Sequence, residues 1–335
     1  MKTVQVVAPG EIAVVDRDVP DPSDHALIRV QQVGICGSDV KILSGGIPVA
    51  YPRVMGHEMV GVVESPARGE IVSAGTRVMV NPATECGHCD LCHRRLGHLC
   101  RNGGLLGRES DGVFTEYLVV PEDRLHPIPD TVSGDAAALL QVFGTVVHAQ
   151  RTIDVFPDQT AVVVGLGVSG QLHLQLLLAR GIGTVIGVTR SESKLTLATK
   201  FGATAVAVPD DAADVVAELT HGRGADIVVE AVGTEETLGR AIELAGHGGD
   251  IVVFGMLVGG GSGLPYFQIY FKELTLHHPR AAQTGDYDSG IAMAAAGALS
   301  LDPLINSRHL LGDAVAAFAA LEERDTLKVV MDAAP

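Results

Sequence analysis

The chain has 335 residues, too many for one ordinary hydrophobic core, so two domains are expected. A formal charge of −16, with no Lys/Arg run longer than Arg94-Arg95, excludes the basic face that nucleic acid or an anionic membrane would need. The N-terminus reads as a strand rather than a secretory leader, and no apolar run reaches membrane-spanning length, so the expected compartment is the cytosol.

Residues 1 to about 130 alternate apolar and polar positions in short runs, at 26–33, 59–64, 76–80 and 113–120, closely punctuated by Gly and Pro. This is an all-β pattern, a partly open barrel or sandwich. Residues 136–150 switch to a helical period, with Ser133 or Asp135 as N-cap. From 160 the chain alternates strand and helix. Strands are expected at 160–164, 184–188, 204–208, 226–230 and 250–254, with helices at 168–180 and 192–201 among those between them. Strands so poor in polar residues need cover on both faces, which predicts a parallel sheet in a doubly wound α/β domain. After His278 the chain leaves that domain. Helices at 289–299 and 313–323 and a strand at 327–331 are expected to return to the first domain.

Four of the five cysteines, Cys86, Cys89, Cys92 and Cys100, fall within fifteen residues. Two-residue gaps let a tight turn aim neighbouring thiolates at one ion, and the fourth closes a tetrahedron. A closed four-thiolate shell is a structural zinc site, here holding a polar lobe over residues 81–105. His88, His93 and His98 in that lobe are read as solvated, because four sulfurs saturate the ion. Cys36 stands apart. With His57 and Glu58 it offers a thiolate, an imidazole and a carboxylate, the donor set of an open, catalytic zinc site. Glu58 is a ligand, an alternate ligand or a supporting group. Asp39 is suited to orient His57. Ser38 supplies a hydroxyl beside the metal.

Gly165-Leu166-Gly167-Val168-Ser169-Gly170 is a GxGxxG motif between an apolar strand and a helix, the context that makes it a dinucleotide pyrophosphate loop. The next strand ends Val188-Thr189-Arg190-Ser191, without the acid expected of a site selecting NAD. A hydroxyl and a guanidinium, assisted by Lys194, suit a 2′-phosphate, which favours NADP over NAD.

These motifs, with Gly34 to Asp39 and the closing Leu301-Asp302-Pro303-Leu304-Ile305, resemble the zinc-dependent medium-chain dehydrogenases, the alcohol and polyol dehydrogenase superfamily, over nearly the whole chain. The resemblance implies a GroES-like, β-rich catalytic domain of residues 1–150 and 279–335, split by a Rossmann domain of residues 151–278. It implies two zinc ions per subunit. Cys36 and His57 would hold the catalytic ion, with Gln141 where relatives supply Cys, Glu or Asp. Some aldose dehydrogenases of the family carry a similar Gln. It further implies that Thr145 packs on the nicotinamide, that Thr189 and Arg190 match the pair of NADP-dependent members, and that Ser38 relays the alcohol proton. Lys41 stands where some relatives have a relay His.

The expected reaction is hydride transfer between the cofactor and the secondary alcohol or ketone of a polyol, cyclitol or sugar. Gly45 to Tyr51 and Phe114 are expected at the pocket mouth, and Gln141, Lys41 and Arg280 favour a polyhydroxylated substrate. The alternatives are an aldose 1-dehydrogenase, a simple secondary-alcohol dehydrogenase and, from another class, an inactive nucleotide-binding scaffold or sensor. A homodimer or homotetramer is expected, paired near residues 250–254 and Gly259-Gly260-Gly261.

Overall fold

The computed structural model describes residues 1–69, 71–257 and 263–333. The chain folds into two compact units, one of residues 1–144, 281–296 and the chain from 301 on, the other of residues 145–280 and 297–300.

The first unit is organised on strand Ala26–Gly34. It pairs antiparallel with Glu58–Ser65, placing Gly34 opposite Glu58, and with Lys328–Asp332, placing Val330 opposite Gly34. One seven-stranded sheet thereby joins the N-terminal strands to the last strand of the chain. The expected return of the C-terminal segment is visible in this pairing. Alternation along Ala26–Gly34 buries Ala26, Ile28, Val30 and Val33 against Val63, Val78, Phe114, Phe318, Val329 and Met331.

Two helices differ from the sequence expectation. Residues 136–150 form two helices, Gly134–Ala138 and Leu140–Gln150, because the Leu139 amide reaches back only to Ala136 O, a tightened last turn. Ser133 is the cap, its Oγ accepting from Ala136 N at 2.9 Å. The first unit ends at Gly144, inside the second of these helices, rather than after Gln150. The helix expected at 289–299 spans Thr284–Ala295. Asp286 closes its N-terminus by accepting from Gln283 N at 2.8 Å, and Gly285 and Gly290, both weak helix formers, hide the period in the sequence.

The second unit is a six-stranded, wholly parallel sheet. Its order is Ala205–Ala207, Thr184–Val188, Thr160–Val164, Ala225–Glu230, Ala245–Val253, Thr275–His277. This is the Rossmann arrangement, with the first strand of the unit central and every residue of Thr160–Val164 buried. Strand Ala245–Val253 is bonded on both sides, so residues 250–253 offer no free edge; among the described residues the edges are Ala205–Ala207 and, on this side, Thr275–His277. Gly259, Gly260 and Gly261 lie outside the described residues. Among the described residues no helix is long and apolar enough to cross a membrane.

Candidate active site

Cys36, His57 and Glu58 come together: one ligand atom from each lies within 4.8 Å of the others. Three elements set this geometry. Cys36 caps the short helix Gly37–Leu43. Glu58 opens the strand that follows His57 and lies beside strand Ala26–Gly34. Asp39, in the first turn of the helix and fully buried, binds the set together. Its carboxylate accepts from Cys36 N at 2.9 Å and from Gly56 N at 3.2 Å, and its Oδ1 lies 3.7 Å from His57 Nδ1. Asp39 thus faces the imidazole, as a residue orienting a metal-bound histidine should.

Burial alone would depress the His57 imidazole; Asp39 and the Cys36 thiol outweigh it and hold it up at about 9. Burial pushes the Asp39 carboxyl up, against the lowering effects of His57 and the Cys36 amide. A thiol, an imidazole and two carboxyl groups packed this closely make a site that a dication would neutralise.

Glu58 carries a feature absent from the sequence reading. It is 1% exposed and forms a buried ion pair with Lys328, itself 2% exposed, whose Nζ also donates to Ile35 O at 3.0 Å. Gly34 leaves room for the pair: a Cβ there would lie 2.6 Å from Glu58 Oε2 and 2.8 Å from Lys328 Cε. Glu58 Oε1 is buried without a hydrogen-bond partner. The carboxylate therefore has one oxygen committed to a cation and one uncommitted, the state of a group that binds or supports a metal only in part.

Gln141 is buried in the first turn of Leu140–Gln150, its Nε2 3.4 Å from the hydroxyl of Tyr287. Tyr287 is fully buried, and burial pushes its phenol well above the usual tyrosine range. A Cβ at Gly144 would collide with the Tyr287 ring, so the helix must carry glycine there. Sequence reasoning passed over both Lys328 and Tyr287. A lysine inside the apolar run Leu327-Lys328-Val329-Val330-Met331 was the available signal for the first; the second, in helix Thr284–Ala295 whose period Gly285 and Gly290 hide, gave none.

Ser38 and Lys41 lie three residues apart on helix Gly37–Leu43, hence on one face, and both are half-buried. Phe114, expected at the pocket mouth, is instead core: it is 0% exposed and meets Phe318 edge-on at 6.3 Å. Arg280 is exposed at the end of the second unit, while Tyr51 in the loop after Gly45 remains 36% exposed.

The four-cysteine lobe forms as a closed set. Sulfur–sulfur distances are 3.5 Å for Cys89–Cys92 and Cys86–Cys100, 3.8 Å for Cys89–Cys100 and 4.0 Å for Cys86–Cys92. A tetrahedral zinc–thiolate shell has sulfurs about 3.8 Å apart, so these residues fit the ion. Backbone N–H groups, chiefly that of His88, lower the Cys86 thiol to about 6, which favours the ligating thiolate. His88 is exposed and bonds to Cys86 O at 2.7 Å, outside the shell. A cavity of about 460 Å³ opens beside the lobe, with Arg95 and Arg124 balanced by Glu85 and Asp123; Cys36, His57 and Glu58 do not line it.

In the second unit Gly165 has φ +92, and a Cβ would strike Val232; a Cβ on Gly170 would strike Gly165 O. Gly167, the helix N-cap, has open space above it, as a loop that receives a pyrophosphate requires. Leu166 is buried beneath the loop, while Val168 and Ser169 are half-buried in the first turn of the helix. Thr189 and Lys194 are half-buried and Arg190 exposed beyond strand Thr184–Val188. Thr145 is half-buried on the helix that carries Gln141.

Comparison with known proteins agrees with both halves. The alcohol dehydrogenase GroES-like domain matches residues 22–130 and the zinc-binding dehydrogenase domain residues 168–296. The chain is 31% identical over 348 residues to D-arabitol-phosphate dehydrogenase of Enterococcus avium, covering 100% of this chain and 98% of that protein. A solved structure from Sinorhizobium meliloti 1021, described as a zinc-binding dehydrogenase and bound to NADP, is 30% identical with TM-score 0.92 over 99% of each chain. An alcohol dehydrogenase of Escherichia coli CFT073 complexed with NADH is 27% identical with TM-score 0.91, again over 99% of each.

Proposed function

Given that the chain belongs to the zinc-dependent medium-chain dehydrogenase family, and so is an oxidoreductase using zinc and a nicotinamide cofactor on small-molecule alcohols, we propose that it interconverts the secondary alcohol and ketone of a polyol, cyclitol or sugar-like substrate, with NADP preferred to NAD. The observation that carries the reading is the Cys36–His57–Glu58 cluster with Asp39 against the imidazole. Two zinc ions per subunit are proposed, one held by Cys86, Cys89, Cys92 and Cys100, the other by Cys36, His57 and Gln141. Bound there, the second ion would supply Lewis acidity toward the substrate oxygen, and a bound nicotinamide would supply the hydride chemistry.

The chain's own groups do the rest. Asp39 fixes the His57 ring. Lys328 holds one oxygen of Glu58, leaving the other to support or replace a ligand. Ser38 takes the alcohol proton, and Lys41, on the same helix face, carries it outward or binds a substrate hydroxyl. Gln141 is a neutral donor, so the site keeps one more positive charge than with a carboxylate in its place. Gly165 to Gly170 cradle the pyrophosphate, Thr145 packs on the nicotinamide, and Thr189, Arg190 and Lys194 meet the 2′-phosphate. The polyol phosphate relative supports a polyhydroxylated substrate. The NADP-bound neighbour supports the cofactor choice, and the NADH-bound one keeps it in need of a test. We place the protein in the cytosol, where its five unpaired thiols stay reduced.

The test is an activity screen of polyols, cyclitols and aldoses with NADP and NAD in parallel, with product analysis and zinc content. Ketone product, higher kcat/KM with NADP and two zinc ions per subunit support the proposal. A lactone product indicates an aldose 1-dehydrogenase, and one ion per subunit without turnover indicates an inactive scaffold.

We also propose self-association through helix Tyr266–Phe271. Tyr266, Phe267, Tyr270 and Phe271 are between 62% and 81% exposed on an uncharged stretch of a chain of charge −16, and the helix leads directly to the free edge strand Thr275–His277. A second copy presents the same uncharged patch and the same edge, which suits an isologous pair. Light scattering of Phe267→Glu should give monomers from an oligomeric wild type; a monomeric wild type overturns the idea.

A further inference from the structure

Helix Val168–Ala179 packs its buried face around the sheet with apolar residues, yet it also buries the amide of Gln171 at 0% exposure. Burying an amide is unfavourable unless hydrogen bonds offset it. Here only the nitrogen is bonded. Nε2 lies 2.9 Å from Lys194 O and 3.5 Å from Leu166 O, while Oε1 is buried without a partner.

The two carbonyls belong to different elements. Leu166 is the second residue of the glycine-rich loop. Lys194 lies in the first turn of helix Glu192–Lys200, which Ser191 caps by accepting from Lys194 N at 3.4 Å. Ser191 Oγ in turn lies 2.9 Å from Ser193 Oγ. One side chain therefore ties the phosphate loop to the segment 189–194 that ends the next strand.

We propose that Gln171 is a positioning residue for cofactor selection. Its amide fixes the spacing between the pyrophosphate loop and the segment that meets the adenosine ribose, so that segment discriminates between a 2′-phosphate and a 2′-hydroxyl. The inference rests on the reading above that residues 165–170 and 189–194 bind the dinucleotide. A half-satisfied amide suits this role: it is retained for its two donor contacts although its oxygen gains nothing from burial.

The test uses Gln171→Leu, which keeps the volume, removes both contacts and removes the orphan oxygen. Dissociation constants for NADPH and NADH are read from cofactor fluorescence on the full chain, with zinc content and Tm in parallel. The ratio of the NADH to the NADPH constant should fall by about fivefold, the equivalent of one net hydrogen bond, with zinc content unchanged. In an Arg190→Ala background the same change should leave the ratio where Arg190→Ala put it. Equal weakening of both cofactors, or a shift in Tm alone, means a merely structural amide and overturns the proposal. Gln171→Met decides the matter if the leucine variant does not fold. A wild type that prefers NADH defeats the NADP reading, while the shift in ratio still judges Gln171. A wild type that binds neither cofactor defeats both.

Discussion

Among the described residues each unit buries one glutamate, and the two are accommodated in opposite ways. Glu58 in the first unit is 1% exposed and Glu230 in the second is 0% exposed; each keeps one carboxylate oxygen without a hydrogen-bond partner. Glu58 is neutralised by a cation, Lys328. Glu230 is held by dipoles: Oε1 accepts from Val232 N at 2.8 Å, Gly233 N at 2.9 Å and Thr237 Oγ1 at 2.8 Å. A point charge compensates a carboxylate while demanding little of its direction, so the second oxygen of Glu58 stays without a hydrogen-bond partner in a residue of the candidate ligand cluster. Three aimed donors fix a turn, here residues 231–237, whose Val232 lies over Gly165 of the phosphate loop. One acid is kept adjustable and the other is used as a bracket.

Four measurements would break or sharpen this contrast. The largest effect is expected from Lys328→Met, which strands a buried charge and should cost about 3–5 kcal/mol in denaturant unfolding. Adding Glu58→Gln should restore most of that loss; if it does not, the lysine is a packing residue. Glu230→Gln should cost less, about 1–3 kcal/mol, because the three donors keep an oxygen to bond.

A third buried group has no cation and a single dipole partner, Gln150 Nε2 at 3.2 Å from His173 Nδ1. His173 is fully buried, with Nε2 unbonded and Phe254 edge-on at 4.7 Å, and burial lowers its pKa to about 3. The folded state then binds fewer protons than the unfolded state between about pH 6.5 and 3. Stability is therefore full above the unfolded value and falls as the pH drops, by up to about 1.4 kcal/mol per pH unit. His173→Leu should flatten that acid limb in melting curves from pH 7 to 5; an unchanged limb assigns it to other groups. The smallest effect is expected from Thr237→Val, about 1 kcal/mol, from one of the three donors.

Features encoded by local spacing were legible in the sequence. The cysteine quartet, the GxGxxG loop after an apolar strand and Cys36 with His57 and Asp39 all declare themselves within a few tens of residues, and the structure brings each group together. The parallel order of the Rossmann sheet followed from runs buried on both faces. What strand pairing decides was not legible. Lys328 reaches Glu58 only because two ladders meet on Gly34, and no local pattern announces a partner so far along the chain. Phe114 was misplaced because an aromatic near a β-turn reads alike as pocket wall or core; its seat against Gly56 makes it core. Strand Thr275–His277, beyond strand Ala245–Val253 in the parallel sheet, was not expected because three residues are too short a run to register as a strand.

The aromatic helix gives the molecule a built-in optical reporter. There is no Trp, and of only five Tyr two, Tyr266 and Tyr270, stand exposed on Tyr266–Phe271 while Tyr287 is buried. Near-ultraviolet emission is therefore tyrosine emission, with two of its five sources on this helix and Tyr51 exposed in the other unit. Its change on dilution would follow partner exchange without a label, and the spectral window in which reduced nicotinamide absorbs and emits stays free of indole.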